Sequence, residues 1–439
     1  MTKPVRVGLL GLGTVGQGVV RVLRQNREEI ARRLGRTVTL THVYTRKAER
    51  ARGLDLEGVK LVHDAHAITR DTDIDVVVEA IGGLSPAREL ILEAIAAGKA
   101  VVTANKALLA EDGNRIFAAA RDRGVMVAFE ASVAGGIPII KAIREGMAGN
   151  RVDEIAGIIN GTSNYILTQM GERGIDFAAA LAEAQQHGYA EADPRLDVDG
   201  IDAAHKLSIL AAIAFGMPLS FASVTADGLR DVTAQDIALA KELGYRIKPL
   251  AIAKRAKAGV ELRVHPTLVR QDHMLAKVDG ALNSIVVQGN AVGATGYYGR
   301  GAGGDATASA VVADLVDVAR LLEAGARHFV PALGFDPAAV REQLIVPIRD
   351  VECAHYLRLR VADTPGVLKA ITSILAELDI SVEAILQKEP RGKEDAMLAI
   401  ITSSVPQHRF DDALGRIQAL KFVRPGSTHL RVEHFNGKG

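Results

Sequence analysis

Val5-Arg6-Val7-Gly8-Leu9-Leu10-Gly11-Leu12-Gly13-Thr14-Val15-Gly16 stands near the start of the chain. Val5–Leu10 is a short apolar run of the kind a buried parallel strand shows. From Val15 to Glu28 the spacing turns helical, with Val15, Val19, Val22 and Leu23 on one face. A GxGxxG pattern therefore falls between a strand and a helix. Gly11 permits the tight turn, Gly13 lets a pyrophosphate reach the backbone, and Gly16 lets helix and strand pack. The helix N-terminus at Thr14 and Val15 offers N–H groups and a positive dipole end to phosphates. Dinucleotide binding is the reading this context supports, against a plain glycine-rich turn.

Moving outward, Val38–Thr45 reads as a second strand and ends in Thr45-Arg46-Lys47, with no acid until Glu49. An NAD site places a carboxylate there for the ribose 2′-OH, whereas two cations suit the 2′-phosphate of NADP. NADP is expected, dual use stays open, and a solvated basic turn is the plainer alternative. Strands at Asp75–Ala80, Ala100–Ala104 and Val125–Glu130 alternate with helical patterns at Pro86–Ala97 and Ala107–Arg123. This alternation makes an α/β, doubly wound parallel sheet. Ligands bind at the carboxyl ends of such strands. Ile81-Gly82-Gly83, Thr103-Ala104-Asn105-Lys106 and the segment from Glu130 thus face a cofactor, with Lys106 pointing into the crevice.

Composition narrows the class. A chain of 439 residues predicts two or three domains. Lys+Arg 53 against Asp+Glu 52 leaves +1, which offers no general attraction for nucleic acid or an anionic membrane. No apolar run spans a bilayer, and Met1–Gly8 lacks a signal-peptide core. The single cysteine, Cys353, excludes an internal disulfide and a cysteine-based metal cluster. A cytoplasmic enzyme is expected.

The chemistry concentrates further on. Glu130-Ala-Ser-Val133-Ala-Gly135-Gly136-Ile137-Pro138 is an irregular loop whose carbonyls and one carboxylate could hold a hard monovalent cation, or merely cross from strand to helix. Ile155–Ile159 runs into Asn160-Gly161-Thr162-Ser163-Asn164 and then a helix from Tyr165. Ser163 or Asn164 would serve as its N-cap. Glu191, Asp193, Asp197, Asp199, Asp202 and Lys206 then crowd the approach to the apolar stretch Leu207–Phe215. Asp202 and Lys206 are i and i+4, on one helix face above Ile209, Leu210 and Ile213. Partial desolvation there would lower the Lys206 ammonium from about 10.4 toward a range useful for proton transfer. The bland alternative is an exposed ion pair.

The pattern Ala184-x3-Gly188-Tyr189-Ala190-x2-Asp193-Pro194-x2-Asp197-Val198-x-Gly200-x-Asp202-x3-Lys206 resembles the signature of the homoserine dehydrogenases, without a break. The glycine fingerprint, Thr103–Lys106, Phe129–Pro138, Gly161–Asn164 and Gly301-Ala-Gly303-Gly304 resemble the family too. The likeness implies interconversion of aspartate 4-semialdehyde and homoserine with NAD(P)H. By position it makes Lys206 the acid/base residue, with Lys106 a rival. It makes Glu191 and Asp202 the grip on the substrate ammonium, and Asp197 the residue that orients the reacting end. Gly161 and Thr162 would line the substrate; Thr103, Gly188 and Gly303 would line the cofactor. Glu130, Val133, Gly135 and Ile137 would form a sodium site.

Several prolines between 331 and 347 mark a boundary near 350. Beyond it the pattern is strand, helix, strand, strand, helix, strand, a ferredoxin-like βαββαβ order. Arg360-Val361-Ala362-Asp363-Thr364-Pro365-Gly366-Val367-Leu368 resembles the opening of an ACT domain, an amino-acid-sensing module. Asp363, Gly366, Val367 and Gln387 are candidate effector contacts, and threonine is the effector that the family resemblance implies. A tail that only pairs subunits is the alternative, and a homodimer or homotetramer is expected. The expected organisation is a Rossmann-type domain over 1–135, completed by about 305–330. An α+β catalytic and dimerisation domain follows over 136–304, then a linker over 331–352 and an ACT domain over 353–439. No room precedes Val5 for a fused kinase, so a monofunctional form is expected. A semialdehyde dehydrogenase working through an acyl-thiol would need a cysteine nucleophile, and Cys353 lies beside the linker. A non-catalytic nucleotide-binding regulator would have no need of Glu191, Asp202 and Lys206 together.

Overall fold

The computed structural model describes residues 3–324, 330–388 and 395–435, so parts of the expected 305–330 and 353–439 segments lie outside the described residues. By internal contacts the chain forms two compact units. One comprises Met1–Ile155, His205–Ser223 and Val287–Gln343; the other comprises Ala156–Ala204, Val224–Val286 and Leu344–Gly439.

The first unit is built on β1 (Val5–Leu10), β2 (Val38–Tyr44), β3 (Lys60–Val62), β4 (Val76–Glu79), β5 (Ala100–Thr103) and β6 (Val127–Ala128). All pair in parallel, in the order β3-β2-β1-β4-β5-β6. The strands are apolar on both sides because both faces are covered. Val76 and Val78 join a core with Val19 of the Thr14–Gln25 helix and Val311 and Leu315 of the Gly304–Ala324 helix. Val77 turns the other way, toward Leu90, Ile91, Leu108 and Ile116. The order reverses between β1 and β4, the place where a doubly wound sheet leaves a ligand crevice.

The first helix is shorter than its apolar pattern suggests. It ends at Gln25, Asn26 breaks the helical backbone, and a second helix runs Arg27–Leu34. Ile30 and Leu34 still bury into the same core, which is why the apolar spacing reads on.

In the second unit the tail has the expected βαββαβ form. Its elements are Glu352–Val361, helix Val367–Glu377, Val382–Lys388, Ala396–Thr402, helix Gln407–Gln418 and Val423–Glu433. Its strands pair antiparallel. Sequence patterning gave no hint of what the last strand does next. Val423–Glu433 pairs in parallel with Gly259–Arg270, through Thr267–Arg431, Leu268–Val432 and Val269–Glu433. One sheet thus includes, as consecutive neighbours, Tyr245–Ala256, Gly259–Arg270, Val423–Glu433, Glu352–Val361, Ala396–Thr402 and Val382–Lys388.

Buried ions stitch this junction. Arg263, 1% exposed, donates from Nη2 to Glu261 at 3.0 Å and from Nη1 to Glu433 at 2.5 Å. Asp236 is fully buried as the third helical residue of Ala234–Glu242. It accepts from Arg358 Nε at 2.6 Å and from the Tyr356 hydroxyl at 3.2 Å. Charges this deep persist only because each is paired and hydrogen-bonded.

Candidate active site

The phosphate turn of the first unit divides its glycines by task. Gly11 sits at φ +103°, and a Cβ there would lie 2.6 Å from the Ala80 carbonyl oxygen. A Cβ on Gly16 would fall 2.0 Å from the Gly11 carbonyl oxygen. A Cβ on Gly13 would meet only the Arg50 guanidinium, at 3.7 Å, so this position is open to a ligand. Arg50 is a cation that the sequence reading passed over; only its place in a basic turn could have marked it. Arg46 and Lys47 are exposed at the end of β2, and the Thr45 hydroxyl accepts the Lys47 N–H at 3.2 Å.

Two helices begin together here. The Gly304–Ala324 helix opens against Thr14, since a Cβ on Gly304 would lie 2.9 Å from the Thr14 carbonyl oxygen. Gly303, at φ +116°, has open space around its own Cβ position. Thr14, Val15 and Gly303 therefore border two neighbouring N-termini, both of which favour anionic phosphate.

Buried Glu79 knits the crevice floor. Its carboxylate accepts from the N–H groups of Ile81 (2.8 Å) and Gly82 (3.0 Å) and from the Thr103 hydroxyl (2.6 Å). Thr103 in turn accepts the Asn105 N–H at 3.0 Å, and Asn105 Nδ2 donates to the Gly83 carbonyl at 2.7 Å. Asn105 also caps the next helix, of which half-buried Lys106 is the first residue. The loops after β4 and β5 are thus held to each other before any ligand arrives.

In the second unit the helix after Ile158 begins at Gly161, not near Tyr165, and its cap is Asn160, not Ser163 or Asn164. The reason is the strand's early end. It leaves Asn160 extended, so its side-chain oxygen accepts the Ser163 N–H at 2.8 Å. The same side chain's Nδ2 donates to Asp197 Oδ1 at 2.7 Å and to Asp202 Oδ2 at 2.9 Å. Asn160 is 6% exposed and Asp202 7%. One amide therefore brings two of the expected site carboxylates together, and this residue was absent from the sequence-derived set. Lys206 is one turn beyond Asp202 in the Ile201–Phe215 helix and only 8% exposed, which removes the solvated ion pair as an account of it.

Around this core, Gly161 is required by space: a Cβ would fall 2.6 Å from the Ala281 carbonyl oxygen. The Thr162 hydroxyl donates to the Tyr189 carbonyl at 2.6 Å, tying the helix start to the loop that carries Gly188. Tyr189 packs on Tyr165 with ring centroids 4.9 Å apart. Glu191 is not drawn into the carboxylate pair. Its side chain is exposed, and its carbonyl accepts from Gln185 Nε2 at 3.0 Å. Asp193 pairs with Arg195, which holds its carboxyl down to about 2, and Asp199 pairs with Arg230 at 2.7 Å.

The loop expected to hold a cation has an added task. Glu130 is buried and accepts the N–H groups of Ile140 (2.8 Å) and Lys141 (2.9 Å), so it serves a helix start. Burial raises its pKa. Asp314 accepts the Glu130 N–H at 2.8 Å and is pushed up to about 8, by burial first and the Glu130 charge second. Ala134 and Gly135 are both left-handed, at φ +53° and +44°. Such strain in a non-glycine residue gathers at functional loops. The groups expected to hold a cation here, the Glu130 carboxylate and the carbonyls of Val133, Gly135 and Ile137, would offer only oxygens, the donor type a hard monovalent ion takes. No group of three or more His, Cys, Asp or Glu that could hold a metal occurs among the described residues.

In the tail, Gly366 sits at φ +93° and opens the Val367–Glu377 helix without a side-chain cap. Asp363 and Gln387 are exposed, and Val367 is buried. Cys353 is buried, its thiol pushed up to about 12 chiefly by burial, which makes it inert as a nucleophile. No described helix is long and apolar enough to cross a membrane.

Residues 11–130 match the homoserine dehydrogenase NAD-binding domain, 138–316 the homoserine dehydrogenase family, and 355–422 the ACT domain. Homoserine dehydrogenase of Pseudomonas aeruginosa is 50% identical over 435 residues, covering 99% of this chain and all of that one. The enzyme of Neisseria gonorrhoeae is 49% identical over 431 residues, covering 98% and 99%. The crystal structure of a homoserine dehydrogenase from Thiobacillus denitrificans superimposes with a TM-score of 0.93 at 52% identity, covering 98% of each chain. With a nucleotide crevice, a buried carboxylate pair and an ACT tail in one chain, this protein belongs to the homoserine dehydrogenase family, an oxidoreductase with a nucleotide cofactor.

Proposed function

We propose that the enzyme interconverts L-aspartate 4-semialdehyde and L-homoserine in the cytoplasm, on the route to threonine and methionine, with Lys206 moving the proton. The observation that carries the reading is the Asn160 amide bridging Asp197 and Asp202, with Lys206 one buried turn away. Bound NAD(P)H supplies the hydride. In reduction, Lys206 gives a proton to the aldehyde oxygen as charge grows there; in oxidation it takes that proton from the homoserine hydroxyl. Asp202, with Glu191 from the adjoining loop, receives the substrate ammonium, a charge-assisted contact that fixes the substrate's far end. Asp197 orients the reacting end. Lys106, the first residue of the helix after β5, is the second candidate for the proton. Holding the reactants in attack geometry removes part of the entropic barrier.

The test is loss of nicotinamide absorbance on mixing the protein with NADPH and aspartate 4-semialdehyde, beside Lys206→Ala. No turnover by the parent protein would sink the reaction assigned. Equal rates would remove Lys206 from it.

Three finer assignments belong to the same reading. NADP is the preferred cofactor, supported by exposed Arg46 and Lys47 at the end of β2; Arg46→Ala with Lys47→Ala should erase a preference for NADPH over NADH. Sodium is held by Glu130 and the carbonyls of Val133, Gly135 and Ile137, supported by the left-handed loop; replacing sodium with choline should lower activity. Threonine is sensed at Asp363, Gly366, Val367 and Gln387, supported by the uncapped N–H groups after Gly366. Inhibition by threonine that Gly366→Val abolishes is the expected result, and sedimentation should give a dimer or tetramer.

A further inference from the structure

Arg431 lies on the last strand of the tail, where that strand pairs with Gly259–Arg270. Its guanidinium is held from two sides. Nε donates to Gln407 Oε1 at 2.9 Å, and Nη1 donates to Asp227 Oδ2 at 2.6 Å. With Gln407 holding one side, the planar fork defines where its other partner, Asp227, sits far better than a lysine would.

Asp227 begins a short strap, Asp227–Arg230. The Asp227 N–H is anchored to the Val264 carbonyl at 2.8 Å. The next three residues grip the two residues that follow Asp197. Gly228 is so close that a Cβ would lie 2.8 Å from the Val198 carbonyl oxygen and 3.1 Å from the Asp199 Cα. Leu229 N–H donates to Val198 at 2.9 Å, and Arg230 Nε donates to Asp199 at 2.7 Å. On the other side of Asp197, the Ser163 hydroxyl donates to its carbonyl at 3.0 Å. The space left among Asn160, Asp197, Asp227, Leu229 and His265 is about 10 Å³, one water at most. With so little slack, a shift of the strap must move the Asp197 backbone.

We propose that Arg431 is a positioning residue for Asp197, acting through Asp227. The proposal rests on the assignment of Asp197 to the homoserine site. The ion pair joins a nearly buried Arg431 side chain (11% exposed) to a half-exposed Asp227 (49%), so water screens it from the Asp227 side and its contribution to stability is modest. Its effect is geometric, and that separates it from a merely structural role.

The experiment uses the full-length enzyme and the variants Arg431→Met, Asp227→Asn, their double and Arg431→Lys. KM for homoserine should rise about three- to ten-fold in each neutral variant, with kcat within about two-fold, the scale of coupling along a packed route. The double variant should be no worse than either single, and Arg431→Lys, which keeps the charge and loses the fork, should recover little of the loss. Amide exchange of peptides containing Leu229 should quicken in Arg431→Met, while the urea midpoint stays unchanged. Additive singles, an unchanged KM, or unchanged exchange at Leu229 would overturn the proposal. Exchange is read without turnover. A parent enzyme that fails on homoserine while exchange responds would thus fault the reaction assigned and leave the Arg431 link standing.

Discussion

Asn160 does two jobs with two ends of one amide, and substitutions can separate them. Its oxygen caps a helix, and its nitrogen bridges Asp197 and Asp202 at 2.7 and 2.9 Å. Serine keeps an acceptor for the Ser163 N–H but is too short to reach either carboxylate. Alanine loses both functions. A hydrogen bond to a charged group is worth about 1.5–3 kcal/mol, so two set a ceiling near 6 kcal/mol. Asp197 and Asp202 retain other interactions. Water also refills part of the gap, which brings the expected loss to about 2–4 kcal/mol. At about 1.36 kcal/mol per factor of ten, kcat/KM should fall roughly 30- to 1000-fold in Asn160→Ser and in Asn160→Ala alike. Stability should tell them apart. Both variants lose the bridge and its stability, and the cap loss costs Asn160→Ala about 1 kcal/mol more than Asn160→Ser in urea unfolding. Asn160→Asp keeps the cap and the shape but sets a third carboxylate against two, and should be the slowest. Assays of homoserine oxidation on all three, with unfolding curves beside them, decide the matter. Parent-like kcat/KM in Asn160→Ser, or activity losses that merely track stability, would refute the bridging role.

Lys206→Ala should lower kcat by about 10²–10⁴, the usual contribution of a positioned acid or base. A larger fall in Lys106→Ala with Lys206→Ala near parent would transfer the role. Asp236→Ala should destabilise by about 3–5 kcal/mol because it strands Arg358 inside the protein. Asp236→Leu with Arg358→Leu should restore much of that, and a single-variant loss below about 1 kcal/mol would contradict the pairing. Acid should unfold the second unit early. Burial holds His265 and His429 well below 6.5 and His355 down to about 3. The unfolded chain therefore binds more protons below 6.5. Stability from these rings is complete above about pH 6.5 and is lost as pH falls toward 3, by at most about 4 kcal/mol per pH unit for the three. With no tryptophan in the chain, circular dichroism in urea is the probe. A midpoint that is flat from pH 7.5 to 5.5 would speak against neutral buried rings.

Local chemistry was readable and distant pairing was not. The turn Gly11–Gly16 shows in sequence because its requirements, a left-handed residue and two close approaches, all fall within six residues. Asp202 and Lys206 show because a helix repeats at that spacing. Asn160 escaped because Asn160, Ser163 and Asn164 are all good caps, and which one is used depends on where the preceding strand stops. Arg50 escaped because only the folded turn brings it to Gly13. Glu130 could be read as a carboxylate near carbonyls, but not as the acceptor for N–H groups ten and eleven residues on. The pairing of Thr267–Val269 with Arg431–Glu433 joins segments far apart in the chain, and no periodicity reports such a partner.

That pairing makes the tail a structural member of the enzyme rather than an appendage. A chain cut near residue 350 would uncover the Thr267–Val269 end of Gly259–Arg270 as a sheet edge, an invitation to aggregate. It would also leave Arg263 without Glu433 and Asp236 without Arg358. Deletion of the tail should therefore yield insoluble protein instead of a shortened catalyst.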